Sequence, residues 1–175
     1  RHSVVYKEGK GIYGSAQFVQ SPQELRAVFT EYREKGGEAP LIQMYVQGEE
    51  YGVEMLAMEG KSYAMLTHHR LKSLSPTGGA SVLKETVEDG AVRKQLEEYA
   101  TLLVEKLEWS GPIMVEFKID SDTRKPLLME INGRFWGSLP LSVFGGVDMP
   151  YLYYKAVTEG EIPEEIVRGK GGVTS

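Results

Sequence analysis

The segment Pro112-Ile-Met-Val-Glu-Phe-Lys-Ile119, followed shortly by Pro126-Leu-Leu-Met-Glu-Ile-Asn132, decides which fold this chain can adopt. Both segments are short apolar runs rich in β-forming residues, and the turn formers of residues 120–125 lie between them. Two such runs joined by a turn predict an antiparallel β-hairpin. Each run also carries one glutamate at a position where a core residue would be expected.

The predicted pairing of this hairpin places two carboxylates side by side. It sets three pairs of residues opposite each other: Ile119 with Leu127, Glu116 with Glu130, and Met114 with Asn132. Directly opposed residues have Cβ atoms about 4.5–5.5 Å apart, and like charges placed there repel each other. The two carboxylates therefore either share a proton or hold a cation between them.

Three interpretations of the glutamate pair are open from the residues alone. Glu116, Glu130 and Asn132 lie on one face of the predicted hairpin, and hard oxygen ligands of this kind suit Mg²⁺ completed by substrate phosphates. The pair could instead perform the acid–base chemistry of a retaining glycoside hydrolase, which uses carboxylates about 5 Å apart. In the third interpretation Arg134 or a lysine neutralises the pair, and its role is structural.

Composition excludes several classes of protein. The chain has 175 residues, 41% hydrophobic and 26% charged, which suits one soluble domain or two small ones. A net charge of −5 without a basic run argues against non-specific binding to nucleic acid or anionic membranes. The absence of cysteine excludes disulfides, thiolate metal sites and cysteine nucleophiles. No apolar run approaches the roughly 20 residues of a membrane span, and the start lacks signal-peptide features, so a cytoplasmic protein is expected.

A glycine-rich stretch near the amino terminus predicts a hairpin loop that binds phosphate groups. The β-prone residues 3–7 and 16–20 flank it, and residues 9–14 match G-x-G-x-x-G. No helix begins on this turn, so a dinucleotide-binding fold is not expected. The loop amides, with Lys7 and Lys10, suit phosphate oxygens, and the alternative is a glycine-rich surface hairpin.

The rest of the chain predicts helices packed on strands, together with a basic loop. Strands are expected over residues 41–46, 51–57 and 62–70, and the first of these should be buried because it is almost entirely apolar. Helices are expected over residues 22–35, 91–108 and 151–158, whereas residues 161–175 should be frayed. Arg70 and Lys72 precede a Pro-Thr-Gly-Gly sequence, which favours a cationic loop that moves over an anionic substrate. The alternative is a mobile surface loop, and zinc is not expected because adjacent histidines on a strand point to opposite faces.

Three segments together resemble the C-terminal signature of ATP-grasp enzymes: Val115-Glu-Phe-Lys118, Leu128-Met-Glu-Ile-Asn-Gly-Arg-Phe-Trp-Gly-Ser138 and Gly145-Gly-Val-Asp-Met-Pro150. They are most similar to the branch around the carbamoyl-phosphate synthase large chain and related carboxylate–amine ligases. The resemblance extends from about Val4 to Val157 and implies an α+β fold with antiparallel sheets backed by helices. In such a fold ATP would lie between two parts of the chain: residues 1–40, within a small subdomain with the glycine-rich loop, and residues 41–160, a large subdomain with the metal site.

The resemblance also implies a role for individual residues. The implied ligands of Mg²⁺, with Mn²⁺ as an alternative ion, are Glu116, Glu130 and Asn132. Nucleotide contacts are implied for Lys7, Gly11, Gly14 and Ser15 at the phosphates, for the backbone of Met44 and Val46 at adenine, and for Glu50 at the ribose. Catalytic roles are implied for Arg134, which would steady the transferred phosphoryl group or the acyl phosphate, and for Arg70 and Lys72 in the large loop.

The activity that the resemblance implies is an ATP-dependent ligation, in which a carboxylate becomes an acyl phosphate that an amine or similar nucleophile attacks. The family's N-terminal Rossmann-like domain and first nucleotide-binding strands have no counterpart here, and a start at Arg1 without methionine suggests a processed or cut piece. The alternative is therefore a truncated or non-catalytic module, or a sensor, that binds nucleotide without turnover. Expected partners are small-molecule carboxylates and amines and the missing domain of the same protein. A homodimer is compatible with the assignment, and neither nucleic acid nor membrane is expected.

Overall fold

The computed structural model describes residues 3–7, 10–14, 17–35, 40–73 and 81–175. The chain divides into two compact units, Arg1–Val46 and Gln47–Ser175. This division falls a few residues after the boundary expected at residue 40. Within the described residues, no helix is long and apolar enough to cross a membrane.

The first unit contains a two-stranded hairpin and a helix among its described residues. These elements are β1 (Ser3–Lys7), β2 (Lys10–Gly14) and α1 (Pro22–Glu34). The two strands are antiparallel, with Lys7 opposite Lys10. Helix α1 begins as predicted after the cap residue Ser21, whose hydroxyl accepts a hydrogen bond from the Glu24 amide at 3.1 Å.

Two predictions for this unit are wrong. The second strand lies at residues 10–14 and not at 16–20, because strand pairing resumes directly after the turn and includes the glycines of the motif. Gly11 and Gly14 are therefore strand residues and not loop residues. The expected buried strand at residues 41–46 has no regular secondary structure, and its Met44 side chain is 86% exposed. An apolar run becomes a strand only where a neighbour completes its backbone hydrogen bonds, and no described strand does so here.

The second unit is a six-stranded sheet with three helices in its described part. The strands are β3 (Gly48–Met58), β4 (Lys61–Ser73), β5 (Ser81–Thr86), β6 (Gly111–Asp120), β7 (Pro126–Asn132) and β8 (Val167–Arg168). The helices are α2 (Ala91–Lys106), α3 (Leu139–Phe144) and α4 (Met149–Thr158). The strand order is β5-β4-β3-β6-β7 with antiparallel neighbours, and β8 pairs in parallel with β4.

Successive residues of the central strands point to opposite faces of this sheet. On one face, here called the helix face, buried strand residues pack against buried residues of α2: Val53, Met55, Met65, Ile113 and Val115 against Leu96, Ala100 and Val104. On the opposite face, here called the polar face, a second cluster covers one end: Leu56, Ala64, Leu66 and Met114 pack with Trp136, Val147 and Met149. The rest of the polar face carries polar and charged side chains, so each strand contributes to a core and to a candidate site.

Residues 161–175 were expected to be frayed, but residues 167–175 lie against the sheet. Strand β8 pairs with residues 64–65 of β4, and Thr174 forms a bridge to Glu85. The prediction is wrong because backbone hydrogen bonds hold this segment, and such bonds do not require a pattern of apolar side chains.

The same segment helps to bury two charged residues of α2. Arg93 and Glu97 are only 6% and 9% exposed. Arg93 donates from Nε to Glu97 at 2.7 Å and from Nη2 to the carbonyl oxygen of Gly169 at 3.1 Å. Arg168 forms a further ion pair with Glu97. These charges are therefore paired inside the unit, as buried charges must be.

Candidate active site

A row of facing residues crosses the polar face from β4 to β7. Its members stand opposite one another on neighbouring strands: His68, Gly52, Glu116 and Glu130. On one side runs a row of Arg70, Glu50 and Lys118, and on the other side a row of Leu66, Glu54, Met114 and Asn132. Because directly opposed residues share a face, the sheet gathers side chains that are far apart in sequence.

The pairing predicted for the two glutamates is confirmed. Glu116 lies opposite Glu130, and Met114 lies opposite Asn132. Asn132 is buried and donates from Nδ2 to Glu116 Oε1 at 3.1 Å. The three residues expected to bind a metal ion are thus neighbours on the polar face.

The outer end of the hairpin departs from the predicted register. A β-bulge next to Glu116 inserts Met129 as an extra residue, so Phe117 pairs with Leu128. Ile119 consequently faces Pro126 and not Leu127. The alternation of apolar residues does not reveal such a bulge, because the bulge changes the pairing register only of the residues beyond it.

Arg134 lies beside the predicted metal ligands. It donates from Nη2 to Asn132 Oδ1 at 3.3 Å and from Nη1 to the carbonyl oxygen of Phe135 at 2.9 Å. These two hydrogen bonds hold its guanidinium group next to the amide of the site. The guanidinium group in this position suits an anionic oxygen that binds a metal ion held by the two carboxylates.

The three other side chains predicted for the second unit also come together. Arg70 Nη1 lies 2.5 Å from Glu50 Oε2, and Lys118 Nζ lies 3.4 Å from Glu50 Oε1. Glu50, Arg70 and Lys72 line a shallow pocket of about 360 Å³. The residue expected at the ribose is thus joined to a residue expected to be catalytic.

Next to these site residues lies a second cluster, which the sequence did not assign to the site. Its members are Glu54, His68, Lys84, Ser138 and Ser142. Glu54 is fully buried and accepts hydrogen bonds from Ser138 Oγ at 2.7 Å and Ser142 Oγ at 2.5 Å. His68 Nδ1 lies 3.0 Å from Glu54 Oε1. Lys84 Nζ lies 2.9 Å from both His68 Nε2 and Ser138 Oγ. One sequence signal was available, because Glu54 interrupts an otherwise apolar strand.

Burial shifts the protonation of this cluster. It lowers the pKa of His68, while the nearby Glu54 carboxylate opposes the shift. Burial also lowers the pKa of Lys84, an effect that Glu54 opposes and the charge of Arg70 reinforces. We therefore treat His68 as neutral, with Nδ1 carrying the proton that faces Glu54.

The absence of a side chain at Gly52 leaves the space that the His68 ring occupies. A Cβ atom added to Gly52 would lie 2.4 Å from His68 Cε1, which is far inside contact distance. The imidazole ring thus occupies the space above β3 where a side chain would stand, between Lys84 and Glu116. A glycine in the middle of this strand allows that close approach.

The remaining predicted contacts lie in the first unit. Lys7, Gly11 and Gly14 belong to its hairpin, Met44 and Val46 to the irregular segment after α1, and Ser15 lies outside the described residues. Their roles at a nucleotide stay predictions.

The chemistry of the donor set fits a divalent cation. In the part of the chain that the structure describes, no group of three or more histidine, aspartate and glutamate residues could hold a metal ion. Two carboxylates and an amide are nevertheless a suitable set for Mg²⁺, which is commonly bound by one or two carboxylates and completed by water and substrate phosphates. Glu116, Glu130 and Asn132 supply that set.

Solved structures share the fold of this chain at low sequence identity. The L-amino acid ligase from Bacillus licheniformis matches with a TM-score of 0.58 and 16% identity, over 91% of this chain and 41% of that chain. A biotin carboxylase complex with β,γ-ATP from Campylobacter jejuni matches with a TM-score of 0.65 and 15% identity, over 87% and 34%. The biotin carboxylase domain dimer of the Hydrogenobacter thermophilus 2-oxoglutarate carboxylase, in complex with MgADP, ADP and bicarbonate, matches with a TM-score of 0.60 and 14% identity, over 87% and 34%.

These structures confirm the predicted α+β architecture, and this chain spans less than half the length of each of them. A search among curated proteins found no match. A family model described as "ATP-grasp in the biosynthetic pathway with Ter operon" matches residues 37–173, which is most of the chain. The chain therefore belongs to this ATP-grasp family.

Proposed function

We propose that this chain is the metal- and nucleotide-binding part of a ligase that activates a carboxylate as an acyl phosphate for attack by an amine. Membership of the ATP-grasp family supports ATP-dependent ligase activity. The observation that carries the proposal is the directly opposed pair Glu116 and Glu130, with Asn132 hydrogen-bonded to it. Two adjacent carboxylates with an amide beside them suit a cation that also binds phosphate oxygens.

In this proposal each predicted site residue of the second unit has a defined task. Glu116, Glu130 and Asn132 hold Mg²⁺, which when bound neutralises charge on the phosphates. Arg134 steadies the transferred phosphoryl group beside Asn132, and Arg70 and Lys72 stabilise the charge that develops. Glu50 accepts the ribose hydroxyls, and its ion pairs with Arg70 and Lys118 fix its carboxylate beforehand. The first unit contributes the contacts expected of Lys7, Gly11, Gly14, Ser15, Met44 and Val46.

The reaction proceeds in two displacements. A carboxylate oxygen of the acyl substrate attacks the γ-phosphorus of ATP, and ADP leaves. The amine then attacks the acyl carbon, phosphate leaves, and the nitrogen loses a proton. Carboxylate, amine and the preceding domain of the same protein are the proposed partners, and exclusion of water from the mixed anhydride is a requirement that the complete protein must meet.

A module that binds nucleotide without turnover is the second candidate. The chain covers 41% of the L-amino acid ligase and 34% of the biotin carboxylase that it matches. Phosphate release by the intact protein, driven by a panel of carboxylates paired with amines, separates the candidates. Release that depends on both substrates supports the ligase, whereas nucleotide binding without release supports the second candidate.

The metal site is tested by calorimetric titration of Mg·ATP into this chain. Saturable binding is expected for the natural sequence, and Glu130→Gln should weaken it at least about tenfold, because a lost charged ligand costs more than about 1.4 kcal/mol. The matched variant Glu98→Gln, on the exposed side of α2, should bind as the natural sequence does. Unchanged binding in Glu130→Gln would refute the assignment of the metal ligands.

A further inference from the structure

The proposed nucleotide chemistry leaves a ring of close polar contacts on the polar face without a task. The ring runs from Lys84 through His68 to Glu54 and returns through Ser138. Its members come from β5, β4, β3 and the residue before α3, so four separate parts of the second unit are required to build it. Such a ring is costly to bury unless every member is satisfied.

The donors and acceptors of the ring can be assigned atom by atom. An ammonium group only donates, so His68 Nε2 accepts from Lys84 and His68 Nδ1 carries the hydrogen that faces Glu54. Ser138 Oγ likewise accepts from Lys84 and donates to Glu54. Ser142 donates to the second oxygen of Glu54. Each oxygen of the carboxylate therefore accepts a hydrogen bond within the cluster.

Lys84 is the member whose charge is not directly matched. Among the described residues its two side-chain hydrogen bonds go to neutral atoms, His68 Nε2 and Ser138 Oγ. They use two of its three N–H groups and leave one for a ligand. A half-buried cation with only neutral contacts gains most from an anionic partner. Burial lowers the pKa of this lysine, and the carboxylates of Glu54 and Glu116 act in the opposite direction.

The strand pairing places Lys84 beside residues of the candidate site. It lies opposite Arg70 on the polar face, and the His68 ring stands between it and the space above Gly52. Its other partner, Ser138, follows Arg134 by four residues in the same connection. One fixed N–H group suits a carboxylate oxygen, whereas phosphate groups are typically bound by several donors.

We propose that Lys84 and Ser138 form a subsite that binds the carboxylate of the acyl substrate. This inference rests on the proposed function, and it assigns the ring of His68 and Glu54 the task of holding Lys84 in one position. Lys84 contacts the substrate, and His68 and Glu54 are positioning residues. The γ-phosphate of ATP presents similar anionic oxygens, so the test separates these two sources.

The test is calorimetric titration of carboxylates into this chain without nucleotide or Mg²⁺. The probes are acetate, succinate and the individual proteinogenic L-amino acids, with inorganic phosphate as the competing class. At least one carboxylate should bind saturably, and Lys84→Met should weaken it at least about tenfold, as expected for a lost hydrogen bond to a charged group. Ser138→Ala should weaken it less, and Lys94→Met on the exposed side of α2 should not change it.

Several results would overturn the proposal. They are the absence of saturable binding by any carboxylate, equal binding by Lys84→Met, and inorganic phosphate that binds more tightly than every carboxylate in a Lys84-dependent manner. If Lys84→Met does not fold, as judged by circular dichroism, Ser138→Ala decides, and unchanged carboxylate binding in that variant counts against the subsite. Failure of the proposed function is distinguishable, because Glu130→Gln weakens Mg·ATP binding and leaves carboxylate binding intact if both proposals hold.

Discussion

The two faces of the large sheet are built from the same strands, but their side chains contribute to the protein in different ways. Val115 and Glu116 are adjacent in sequence, yet Val115 is fully buried against α2 while Glu116 stands in the row with Glu130. On the helix face a side chain contributes through its volume, because packing there is dense and apolar. On the polar face a side chain contributes through its charge and its hydrogen bonds. Adjacent residues of one strand can thus serve different purposes, one stabilising the fold and the next belonging to the candidate site.

The largest effect should come from a cavity on the helix face. Met55 is fully buried there, and Met55→Ala should lower the free energy of unfolding by about 2–5 kcal/mol. The Mg·ATP affinity of the folded fraction should stay the same, because residue 55 points away from the polar face. Urea unfolding gives the first quantity and calorimetry gives the second. Leu102→Ala, at an exposed position of α2, should cost well under half as much, and a reversed order would show that the core is assigned to the wrong face.

A smaller effect should follow from filling space on the polar face. In Gly52→Ala the new methyl group meets the His68 ring, and the forced repacking should cost about 1–3 kcal/mol. Urea unfolding measures the cost, and the imidazole resonances of His68 should shift in the NMR spectrum. Gly90→Ala provides the control, since a Cβ atom at Gly90 has open space around it. Identical stability of the two variants would show that the ring does not need the space above Gly52.

The comparison also shows what could be predicted from sequence. The hairpin of β6 and β7 and the opposition of its glutamates were accessible, because local alternation and a short turn determine them. The bulge at Met129 was not, since one inserted residue leaves the local pattern unchanged. The strand expected over residues 41–46 failed for the opposite reason, because its pattern was strong and its partner strand was absent among the described residues.

The buried polar residues were beyond prediction for a physical reason. Glu54 receives its hydrogen bond from Ser138, which lies 84 residues later in the chain. Arg93 is held by the carbonyl oxygen of Gly169, 76 residues away. Whether a charged residue is solvated or buried depends on such distant partners, and a single sequence does not show them. The resemblance to ATP-grasp enzymes led to the prediction of Glu50, Arg70 and Arg134 as site residues, but it did not predict the ring around Lys84.

A still smaller effect is expected from relieving charge repulsion in the row. Glu116→Gln keeps the acceptor for Asn132 Nδ2 and removes one of two opposed charges, so it should raise the free energy of unfolding by about 0.2–1 kcal/mol without metal. Added Mg²⁺ should stabilise the natural sequence and should stabilise this variant less, because a ligand stabilises the state that binds it. Thermal unfolding with and without Mg²⁺ measures both. Glu105→Gln on α2 should respond to Mg²⁺ as the natural sequence does, and a destabilised Glu116→Gln would contradict the repulsion.

The smallest expected effect is a pH dependence that originates on the polar face. The pKa of His68 in the folded chain lies below its ordinary value of 6.5, because burial disfavours the imidazolium more than Glu54 favours it, while Lys84 and Glu116 act with opposite signs. In the window below 6.5 the unfolded chain binds more protons at this residue than the folded chain, so stability rises with pH there. The contribution is fully present above the unfolded pKa and is lost as the pH falls below it.

Urea unfolding between about pH 5.5 and pH 7.5, a range around the unperturbed histidine pKa, should therefore show a weaker pH dependence for His68→Gln than for the natural sequence. Glutamine can still accept the hydrogen bond from Lys84 at the position of Nε2, so the substitution mainly removes the titrating group. His69→Gln, on the neighbouring residue of β4 and the opposite face of the sheet, should leave the dependence from His68 in place. If the two variants flatten the curve equally, the pH dependence does not arise on the polar face, and His68 is not the buried neutral imidazole that its surroundings indicate.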